Sequence, residues 1–396
     1  MTGNPKYKRV LVYCGDYLNQ ETLHVYRQLV NFKDFKPYVV ARRIKNLDIF
    51  PLKKLDKLER DPNRIRRYLH KFYCKRIKKQ SYVEISEYEK NQFLRKAADI
   101  NADLIHVYFG TEAARILPYL ADEKRPIIIS FHGADTSDAL NNDDFDRILS
   151  SSQLLLARSE SLKQQLIKRG CSEDRILLNP AGVPIPLSFK SKNYDNDQNR
   201  LSFLQACRFI EKKGLDISIR CISELKKMGY NVHLDLVGNG PCEQALKNLV
   251  GQLDLKEEVS FFDFVENSTL LKMMGNYHFF LHPSVTTKKN DREGIPNSLM
   301  EAMVSGCVVV TTNHSGIPEL ITHLSDGIML SEADPKIMAS AIADIINSPE
   351  IADKLVKNAR KKITDTHSID VCIEHLEAAY QHVLQNNMTT IASSLD

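Results

Sequence analysis

The first half of the chain alternates short apolar runs with longer stretches of helical periodicity. The run "RVLVYCG" ends at Gly15, and "ETLHVYRQLVNF" after it has apolar residues at helical spacing. The pattern continues with "PYVVARR", "ADLIHVYFG", "RPIIISFHG" and "SSQLLLARS", most of them followed by helical stretches such as "TEAARILPYL". Strands that alternate with helices predict a parallel sheet covered by helices on both faces.

The pattern is interrupted near the middle of the chain. The stretch "NPAGVPIPLSFKSKNYDNDQNR" carries three prolines and a polar run, which is typical of a linker between domains. Alternation restarts at "LSFLQACRF" and continues through "CVVVTT". We predict an N-terminal domain over residues 1–185, a linker over 186–200 and a second domain over 201–370. A C-terminal helix over 371–396 could pack back on the first domain and end in a frayed tail.

Length and composition agree with two folded domains. The 396 residues exceed the ~250 to 300 at which one hydrophobic core stops growing. The predicted fold is α/β, with two doubly wound Rossmann-like domains that face a central cleft, since such sheets bind ligands beyond the carboxyl ends of their strands. The N-terminus lacks the apolar run of a signal peptide or membrane span, and the eight cysteines form no C-x-x-C pair. We expect a cytoplasmic protein with reduced cysteines.

The segment "REGIPNSLMEAMVSG" predicts a turn followed by a helix that ends near Gly306. Pro296 is expected in the first helical turn, where its missing N–H is not needed. A helix N-terminus favours phosphate, so we expect a diphosphate at the backbone N–H groups around Gly294, Ile295, Pro296, Asn297 and Ser298. In a continuous helix Glu293 and Glu301 would lie ~12 Å apart. Their carboxylates would accept hydrogen bonds from sugar and ribose hydroxyls on either side of the phosphate.

These two glutamates, followed by "SGCVVVTTNHSGIPELI", resemble the donor-binding signature of the retaining glycosyltransferases of family 4, which have the GT-B fold. The resemblance covers most of the chain and is nearest to the bacterial enzymes of polysaccharide and lipid-linked glycan synthesis. It implies transfer of a hexose-type sugar from a nucleotide diphosphate sugar to a hydroxyl acceptor. It also implies that Glu293 holds donor-sugar hydroxyls beside the reacting carbon and that Glu301 holds the ribose.

The stretch "CRFIEKKGLD" resembles the R-x4-K-G element of that family, which implies that Arg208 and Lys213 clamp the diphosphate. Two cations there would stabilise the charge that develops as the sugar–phosphate bond breaks. No D-x-D-like cluster can be placed with assurance, so we expect neither a metal nor another cofactor. The resemblance further implies front-face attack, in which a phosphate oxygen of the leaving group receives the acceptor proton.

Other matches follow along the chain. "LVGNGP" resembles the glycine loop at a strand end, where Gly238 and Gly240 would permit close approach of the nucleotide. In "FDFV", at residues 262–265, Phe264 and Val265 would lie by the base.

In the N-terminal domain, "SFHGAD" resembles the H-G-x-D of the family. It implies that His132 lies on the donor-sugar and phosphate side of the cleft and that Asp135 orients the loop. Gly15 would begin the glycine-containing first loop, but "GDYLNQET" lacks the commoner double glycine, so acceptor contacts of residues 16–22 stay open. Three other histidines have no such context and are expected to be structural: His106, His278 and His282.

One region is strongly basic. Residues 42–79 contain fifteen Lys or Arg against four Asp or Glu, although the whole chain carries a net charge of +4. Within it, apolar residues form a helical stripe: Ile65, Leu69, Phe72, Tyr73 and Ile77. Such a helix could dock on an anionic membrane, which suits a lipid-linked sugar acceptor and a peripheral position at the inner face of the plasma membrane. The alternative is a helix packed on the core with a solvated basic face.

Other functions remain open on the sequence alone. A nucleotide-sugar epimerase or a sugar-phosphate synthase could use the same two-domain scaffold, because the fold does not define the acceptor. A nucleic-acid-binding protein could use the basic region, but this would leave the two glutamates unexplained, so no nucleic acid is expected. A dehydrogenase is disfavoured because no G-x-G-x-x-G opens the first βα unit.

Overall fold

A computed structural model describes residues 7–17, 22–132, 140–188, 192–194, 200–287 and 294–393. The chain forms two compact units. Unit 1 comprises Met1–Gly182 together with Ile369–Asp396, and unit 2 comprises Val183–Ser368. The chain therefore leaves unit 1 once and returns to it through its last helix.

Within its described residues, unit 1 is built on a seven-stranded parallel sheet in the order β3-β2-β1-β4-β5-β6-β7. Strands β4, β5 and β6 are buried along their whole length, because helices cover both faces of the sheet. The strands are β1 Lys8–Tyr17, β2 Phe35–Ile44, β3 Leu55–Lys57, β4 Leu104–Tyr108, β5 Ile127–Phe131, β6 Leu154–Ala157 and β7 Ile176–Leu178. The helices are α1 Leu23–Asn31, α2 Arg64–Phe72, α3 Glu87–Asp99, α4 Gly110–Ile116, α5 Asn142–Ser151 and α6 Glu160–Lys168.

Unit 2 repeats this architecture, with a six-stranded parallel sheet in the order β10-β9-β8-β11-β12-β13 among the described residues. Its strands are β8 Leu201–Ala206, β9 Val232–Val237, β10 Val259–Phe262, β11 Phe279–His282, β12 Val308–Thr312 and β13 Ile328–Leu330. Its helices are α7 Leu215–Lys227, α8 Glu243–Gln252, α9 Asn267–Met274, α10 Asn297–Val304, α11 Ile317–Leu320, α12 Pro335–Ile346 and α13 Pro349–His367. The predicted class of two doubly wound α/β units is confirmed.

The last helix, α14 Ile369–Ser393, packs on unit 1. Its Tyr380 is fully buried in the core of that unit, and the Tyr380 hydroxyl lies 2.6 Å from Nδ1 of His106. Glu377 accepts hydrogen bonds from the backbone N–H groups of Lys33, Asp34 and Phe35 at 2.8 to 3.1 Å. The helical backbone continues to Ser393, beyond the start of the predicted frayed tail.

The predicted linker over 186–200 does not separate the units, since both sides of it belong to unit 2. Residues 192–194 pack on unit 2: Tyr194 is 3% exposed in its core, and the carbonyl of Asn193 lies 2.9 Å from Nε2 of His278. The prolines and polar residues suggested a linker, but burial of one tyrosine ring holds this part of the segment against the sheet. The change of unit lies earlier, at Gly182, and the return lies at Ser368.

Candidate functional site

In unit 2, the strand order changes direction between β8 and β11. Strands β9 and β10 extend the sheet on the side of β8, whereas β12 and β13 extend it on the side of β11. The loops that follow β8 and β11 therefore diverge at the carboxyl edge of the sheet. Open α/β sheets bind ligands at this type of switch point. Arg208 and Lys213 follow β8, whereas the turn that begins α10 follows β11.

The loop after β8 rests on the loop after β11. The Nε2 of buried Gln205 donates to the carbonyl of Lys213 at 2.7 Å, and Val285 N donates to Lys212 O at 3.0 Å. Gly214 has a left-handed φ of 59°, and a Cβ there would overlap the carbonyl oxygen of Pro283. The backbone that carries Lys213 is therefore positioned from both sides, which keeps its ammonium group close to the switch point.

The glycines of "LVGNGP" serve a different contact from the one predicted. A Cβ on Gly238 would overlap the carbonyl oxygen of Cys207, and one on Gly240 would lie 2.5 Å from that of Phe209. Phe209 N also donates to Asn239 O at 2.8 Å. These glycines therefore let the loop after β9 pack against the loop that carries Arg208. Their approach to a nucleotide stays a prediction.

The segment after β10 lies beside this glycine loop. The N–H of Gly238 donates to the carbonyl of Phe262 at 2.9 Å, which brings residues 262–265 to the same edge. Phe264 is 50% exposed and Val265 is half-buried. An exposed aromatic ring at this edge could stack on a base, as predicted from the sequence.

Helix α10 begins at Asn297, and Pro296 is its N-cap with an extended ψ of 127°. The prediction that Pro296 lies inside the first turn is therefore wrong by one residue. Its carbonyl accepts the first helical bonds, while no described side chain caps the helix. Gly294 and Ile295 lie against Gly316, and Ser298 is half-buried in the first turn. The N-terminus of α10 is thus at the edge where a phosphate was predicted.

The predicted helix end is confirmed. Helix α10 ends at Val304, and Gly306 follows with a φ of 85°, a backbone conformation that favours glycine. The N–H of Cys307 then donates to the carbonyl of Ala302 at 3.2 Å, which completes the cap.

Glu301 is 2% exposed, and its Oε1 accepts from Nδ2 of Asn267 at 3.0 Å. Asn267 opens α9 and was not identified from the sequence, because nothing local links it to a residue in α10. It orients the carboxylate that is predicted to hold the ribose. Glu293 and Asp135 lie outside the described residues.

In unit 1, His132 follows β5 and contacts His24 of α1. The Nε2 of His24 lies 3.0 Å from Nδ1 of His132, and the two side chains are 4% and 8% exposed. Burial, and then the neighbouring Arg158 guanidinium, hold the pKa of each imidazole well below its ordinary value. Both rings are therefore neutral near pH 7, and His132 can donate or accept a hydrogen bond without a net charge. The sequence identified only His132 of this group.

The prediction that Gly15 begins the first loop is wrong, because Gly15 lies within β1, which continues to Tyr17. Its contact with a ligand stays a prediction. A Cβ on Gly15 would overlap the carboxylate of Glu112, in the first turn of α4 after β4. Burial raises the pKa of Glu112 despite its ion pair with Arg115 at 2.6 Å. Strands β1 and β4 flank the switch point of the sheet in unit 1. The carboxyl group of Glu112 therefore lies at the edge of this sheet where a ligand would bind.

Two of the three histidines expected to be structural have structural contacts. His106 lies between the Tyr380 hydroxyl and the Ser130 hydroxyl at 2.6 and 2.7 Å, and His278 bonds the Ser202 hydroxyl at 2.8 Å. His282 ends β11 and is fully buried. Burial, followed by the charge of Lys213, lowers its pKa well below the ordinary value, which places a neutral ring close to Lys213.

The basic helix has its apolar face outward. None of the residues of α2 is buried, and the stripe residues within it are 46 to 71% exposed: Ile65, Leu69 and Phe72. The stripe continues through Tyr73 and Ile77 in a π-helical turn. On the inward face, His70 forms a hydrogen bond with the carbonyl of Glu84 at 3.1 Å. Cys74, in the turn that follows α2, is buried. The alternative of a core-packed helix is therefore wrong.

Among the described residues, no three His, Cys, Asp or Glu side chains are grouped as metal ligands. No described helix is long and apolar enough to cross a membrane. The expected independence from metal stays a prediction.

Comparisons with known proteins identify the family of the chain. Residues 188–362 match the family described as glycosyl transferases group 1. The chain is 32% identical over 273 residues to AmsK of Erwinia amylovora, an amylovoran biosynthesis glycosyltransferase, with 66% of each protein covered. It is 31% identical over 293 residues to WcaL of Escherichia coli K12, named for colanic acid biosynthesis, with 72% of each covered.

A similar solved structure is Anabaena HepE, crystallised with UDP and glucose. It superposes with a TM-score of 0.73 at 15% identity and covers 95% of this chain and 100% of its own. This likeness supports the GT-B fold for the two units. Together with the sequence relatives, it shows that the chain belongs to the group 1 glycosyltransferases.

Proposed function

We propose that the chain transfers a hexose-type sugar, with retention of configuration, from a nucleotide diphosphate sugar to a hydroxyl acceptor. The observation that carries this proposal is the packing of the Lys213 loop on the loop after β11, at the switch point of unit 2. It brings two cations and a helix N-terminus to one edge of the sheet. A diphosphate is the ligand that these groups suit best.

The cations support departure of the nucleotide. Arg208 is exposed and Lys213 is half-buried, so both can reach a ligand at the edge. As the sugar–phosphate bond breaks, negative charge grows on the diphosphate, and fixed positive groups stabilise that state more than the ground state. A phosphate oxygen of the leaving group then accepts the proton of the attacking hydroxyl, so no protein nucleophile is assigned. Glu293 would hold the sugar hydroxyls beside the reacting carbon.

Neutral His132 is suited to form a hydrogen bond with the donor substrate. The Nε2 of His24 and the Nδ1 of His132 share one proton, and the tautomer decides which ring donates it. In either tautomer the Nε2 of His132 is a hydrogen-bonding atom without a net charge, and we assign this atom to the donor substrate.

The relatives support a role in surface polysaccharide synthesis. AmsK is named for amylovoran biosynthesis and WcaL for colanic acid biosynthesis, and HepE was crystallised with UDP and glucose. Both sequence relatives are named as glycosyltransferases, which favours transfer over the epimerase, synthase and nucleic-acid alternatives. The acceptor is then a sugar or a lipid-linked sugar, at a cytoplasmic site.

The outward apolar stripe supports a peripheral position on an anionic membrane. Leu69 and Phe72 are 57% and 46% exposed, beside the cations Arg66 and Lys71. Each Lys or Arg close to an anionic surface contributes about 1 kcal/mol, and buried apolar side chains add to this. Co-sedimentation with phosphatidylglycerol vesicles should fall at least about tenfold in Leu69→Ser/Phe72→Ser, at roughly 1.4 kcal/mol per factor of ten. The control Leu187→Ser, at an exposed position in unit 2, should bind like the wild type.

Transfer itself is tested with a panel of labelled UDP-sugars and GDP-sugars and a cell-envelope lipid extract as acceptor. A sugar–acceptor product with the anomeric configuration of the donor supports the proposal. Product of inverted configuration contradicts it, and so does isomerised nucleotide sugar formed without any acceptor.

A further inference from the structure

A cavity of about 760 Å³ lies within unit 1, between α2 and the beginning of α3. Six cationic side chains line it, and we name it the arginine cavity: Arg42, Arg60, Arg64, Arg66, Arg67 and Lys71. Tyrosines at positions 68, 88 and 119 also line it. Its volume is comparable to that of small-molecule sites, which range from about 300 to 1,000 Å³.

The positive charge of the arginine cavity is incompletely neutralised. Its three carboxylates are those of Asp61, Glu87 and Glu89. Glu89 is occupied by Arg42 Nε at 3.0 Å, and Glu87 pairs with Lys90 at 3.6 Å. In the described part of the chain, no ion pair joins the other five cations of the cavity to a carboxylate. Five unpaired cations around one hollow repel one another, and a bound anion removes that repulsion.

The helix that carries four of these cations is held in place before any ligand binds. Asn63 caps α2 by accepting from the N–H groups of Ile65 and Arg66 at 2.9 and 3.1 Å. Beyond α2, Lys78 pairs with buried Glu84 at 2.8 Å, and His70 bonds the Glu84 carbonyl. The backbone of α2 is therefore positioned before a ligand binds, so the entropy lost on binding is limited to ordering the cationic side chains.

A second cavity of about 280 Å³ adjoins the arginine cavity on the side of the carboxyl edge of the sheet. The two cavities share four lining residues: Arg42, Arg60, Val83 and Glu89. The second one continues to Gly15 and Asp16, near the end of β1. A ligand whose anionic group occupies the arginine cavity can thus extend toward the edge at which doubly wound sheets bind substrates.

We propose that the arginine cavity binds the diphosphate of the acceptor, so that the acceptor is a diphosphate ester whose sugar reaches the carboxyl edge of unit 1. This inference rests on the proposed function, because it assigns the second substrate of the same reaction. Guanidinium groups match phosphate oxygens with two parallel hydrogen bonds, and several of them together favour a group with more than one negative charge. The exposed apolar stripe of α2 lies beside the cavity and fits an ester with a hydrocarbon chain.

Binding of inorganic pyrophosphate measured by calorimetry tests the site, with saturating UDP present to occupy the Arg208 and Lys213 region. We expect the wild type to bind pyrophosphate under these conditions. Arg60→Gln/Arg64→Gln should weaken this binding at least about tenfold. The control Lys53→Gln/Lys256→Gln removes the same charge outside the cavity and should stay within twofold. Absence of binding, or equal weakening in both variants, would overturn the proposal.

Competition experiments separate two sources of phosphate. Farnesyl diphosphate should displace pyrophosphate from the wild type, whereas dihexanoyl phosphatidylglycerol below its micelle concentration should not. Equal displacement by the phospholipid would assign the cavity to membrane headgroups and overturn the acceptor assignment. In a second variant, Lys71→Gln, loss of one cation of the arginine cavity should weaken pyrophosphate binding a few-fold. Unchanged affinity for pyrophosphate would contradict the proposal.

The transfer assay distinguishes failure of this inference from failure of the proposed function. Arg60→Gln/Arg64→Gln should raise the KM for acceptor about tenfold while the KM for the sugar nucleotide stays within twofold. A wild-type enzyme that transfers sugar and a double variant with unchanged acceptor KM would reject the arginine cavity alone. A wild-type protein that binds pyrophosphate but transfers no sugar would reject the proposed function alone.

Discussion

Unit 1 and unit 2 are wound in the same way, yet their carboxyl edges carry different charges. In unit 2, Lys213 and Arg208 lie on a loop that packs on its neighbours through glycines. In unit 1, the corresponding edge carries a neutral pair of histidines, His24 and His132, and the buried carboxyl group of Glu112. Arg158 lies beside the histidines and Arg115 pairs with Glu112, while the cations of the arginine cavity lie around α2. Exposed cations suit a leaving diphosphate, whereas neutral histidines suit the hydroxyls of a sugar.

The family match has the same asymmetry. It covers residues 188–362, which all belong to unit 2. The outward stripe of α2 and the arginine cavity, both in unit 1, lie outside that range. In our proposal, unit 2 defines the donor chemistry and unit 1 defines the acceptor. The following predictions separate the two units by experiment.

The largest effect is expected at the cationic edge of unit 2. Lys213→Ala removes one of two charges that stabilise the departing diphosphate, so kcat should fall about 10² to 10³-fold, comparable to the loss of one oxyanion donor. The control Lys256→Ala removes an exposed lysine elsewhere in unit 2. Steady-state transfer rates with both purified variants check this. Near-normal turnover of Lys213→Ala with an intact fold would contradict the assignment.

The glycines should matter for stability of unit 2. Gly238→Ala drives a methyl group into the carbonyl of Cys207 at a φ of 137°, so we expect a loss of about 2 to 4 kcal/mol in the free energy of unfolding. Gly251→Ala in α8 is the matched control, because nothing lies within 4 Å of the added Cβ. It should stabilise the helix by about 0.5 to 1 kcal/mol. Urea unfolding monitored by circular dichroism measures both, and equal effects would refute the packing argument.

Acid should destabilise unit 1 through its buried histidines. Burial lowers the pKa of His106 to about 3 and holds those of His24 and His132 well below the ordinary value. In the unfolded chain these histidines bind protons below about pH 6.5, whereas in the folded chain they stay neutral to lower pH. Their contribution to the free energy of unfolding is therefore fully present above about pH 6.5 and is lost progressively as the pH falls below it. Each group contributes up to about 1.4 kcal/mol per pH unit.

Urea unfolding at pH 7.0, 6.0 and 5.0 measures this slope. The His24→Gln variant should flatten it, whereas His382→Gln, at an exposed position of α14, should not. A slope that is the same in the wild type and in His24→Gln would contradict the account.

A smaller effect is expected where His24 positions His132. His24→Phe removes the hydrogen bond to Nδ1 of His132 and frees its tautomer, so kcat should fall on the order of 10-fold, equivalent to about 1.4 kcal/mol. The KM for the sugar nucleotide should change less than threefold. His24→Gln keeps a hydrogen-bonding amide close to the same position and should restore most of the rate. Equal losses in both variants would indicate a packing role only.

Local patterns predicted much of this structure. The alternation of elements gave both α/β units, Gly306 was placed correctly at the end of α10, and Arg208 and Lys213 were assigned to a loop after a strand. These features depend on residues close together in sequence. The start of α10 was misplaced by one residue, because Pro296 is favourable both at the first helical position and just before it.

The contacts that were missed are long-range. His24 and His132 are 108 residues apart, and Asn267 and Glu301 are 34 apart, so no local pattern links them. The packing of Gly238 on the carbonyl of Cys207 was missed because the sequence shows the glycine but not the carbonyl opposite it. The approach of a nucleotide to Gly238 stays a prediction. The linker was misplaced for a similar reason, since burial of Tyr194 depends on the sheet against which it packs.

The central claim is that the edge of unit 2 binds the nucleotide diphosphate. It is tested most directly by isothermal titration of UDP and GDP into the wild type, Lys213→Ala and Lys256→Ala. One of the nucleotides should bind the wild type and Lys256→Ala equally, and Lys213→Ala at least about tenfold more weakly, because a charge-assisted contact is lost. Equal affinity for all three proteins, or no binding of either nucleotide, would contradict the account.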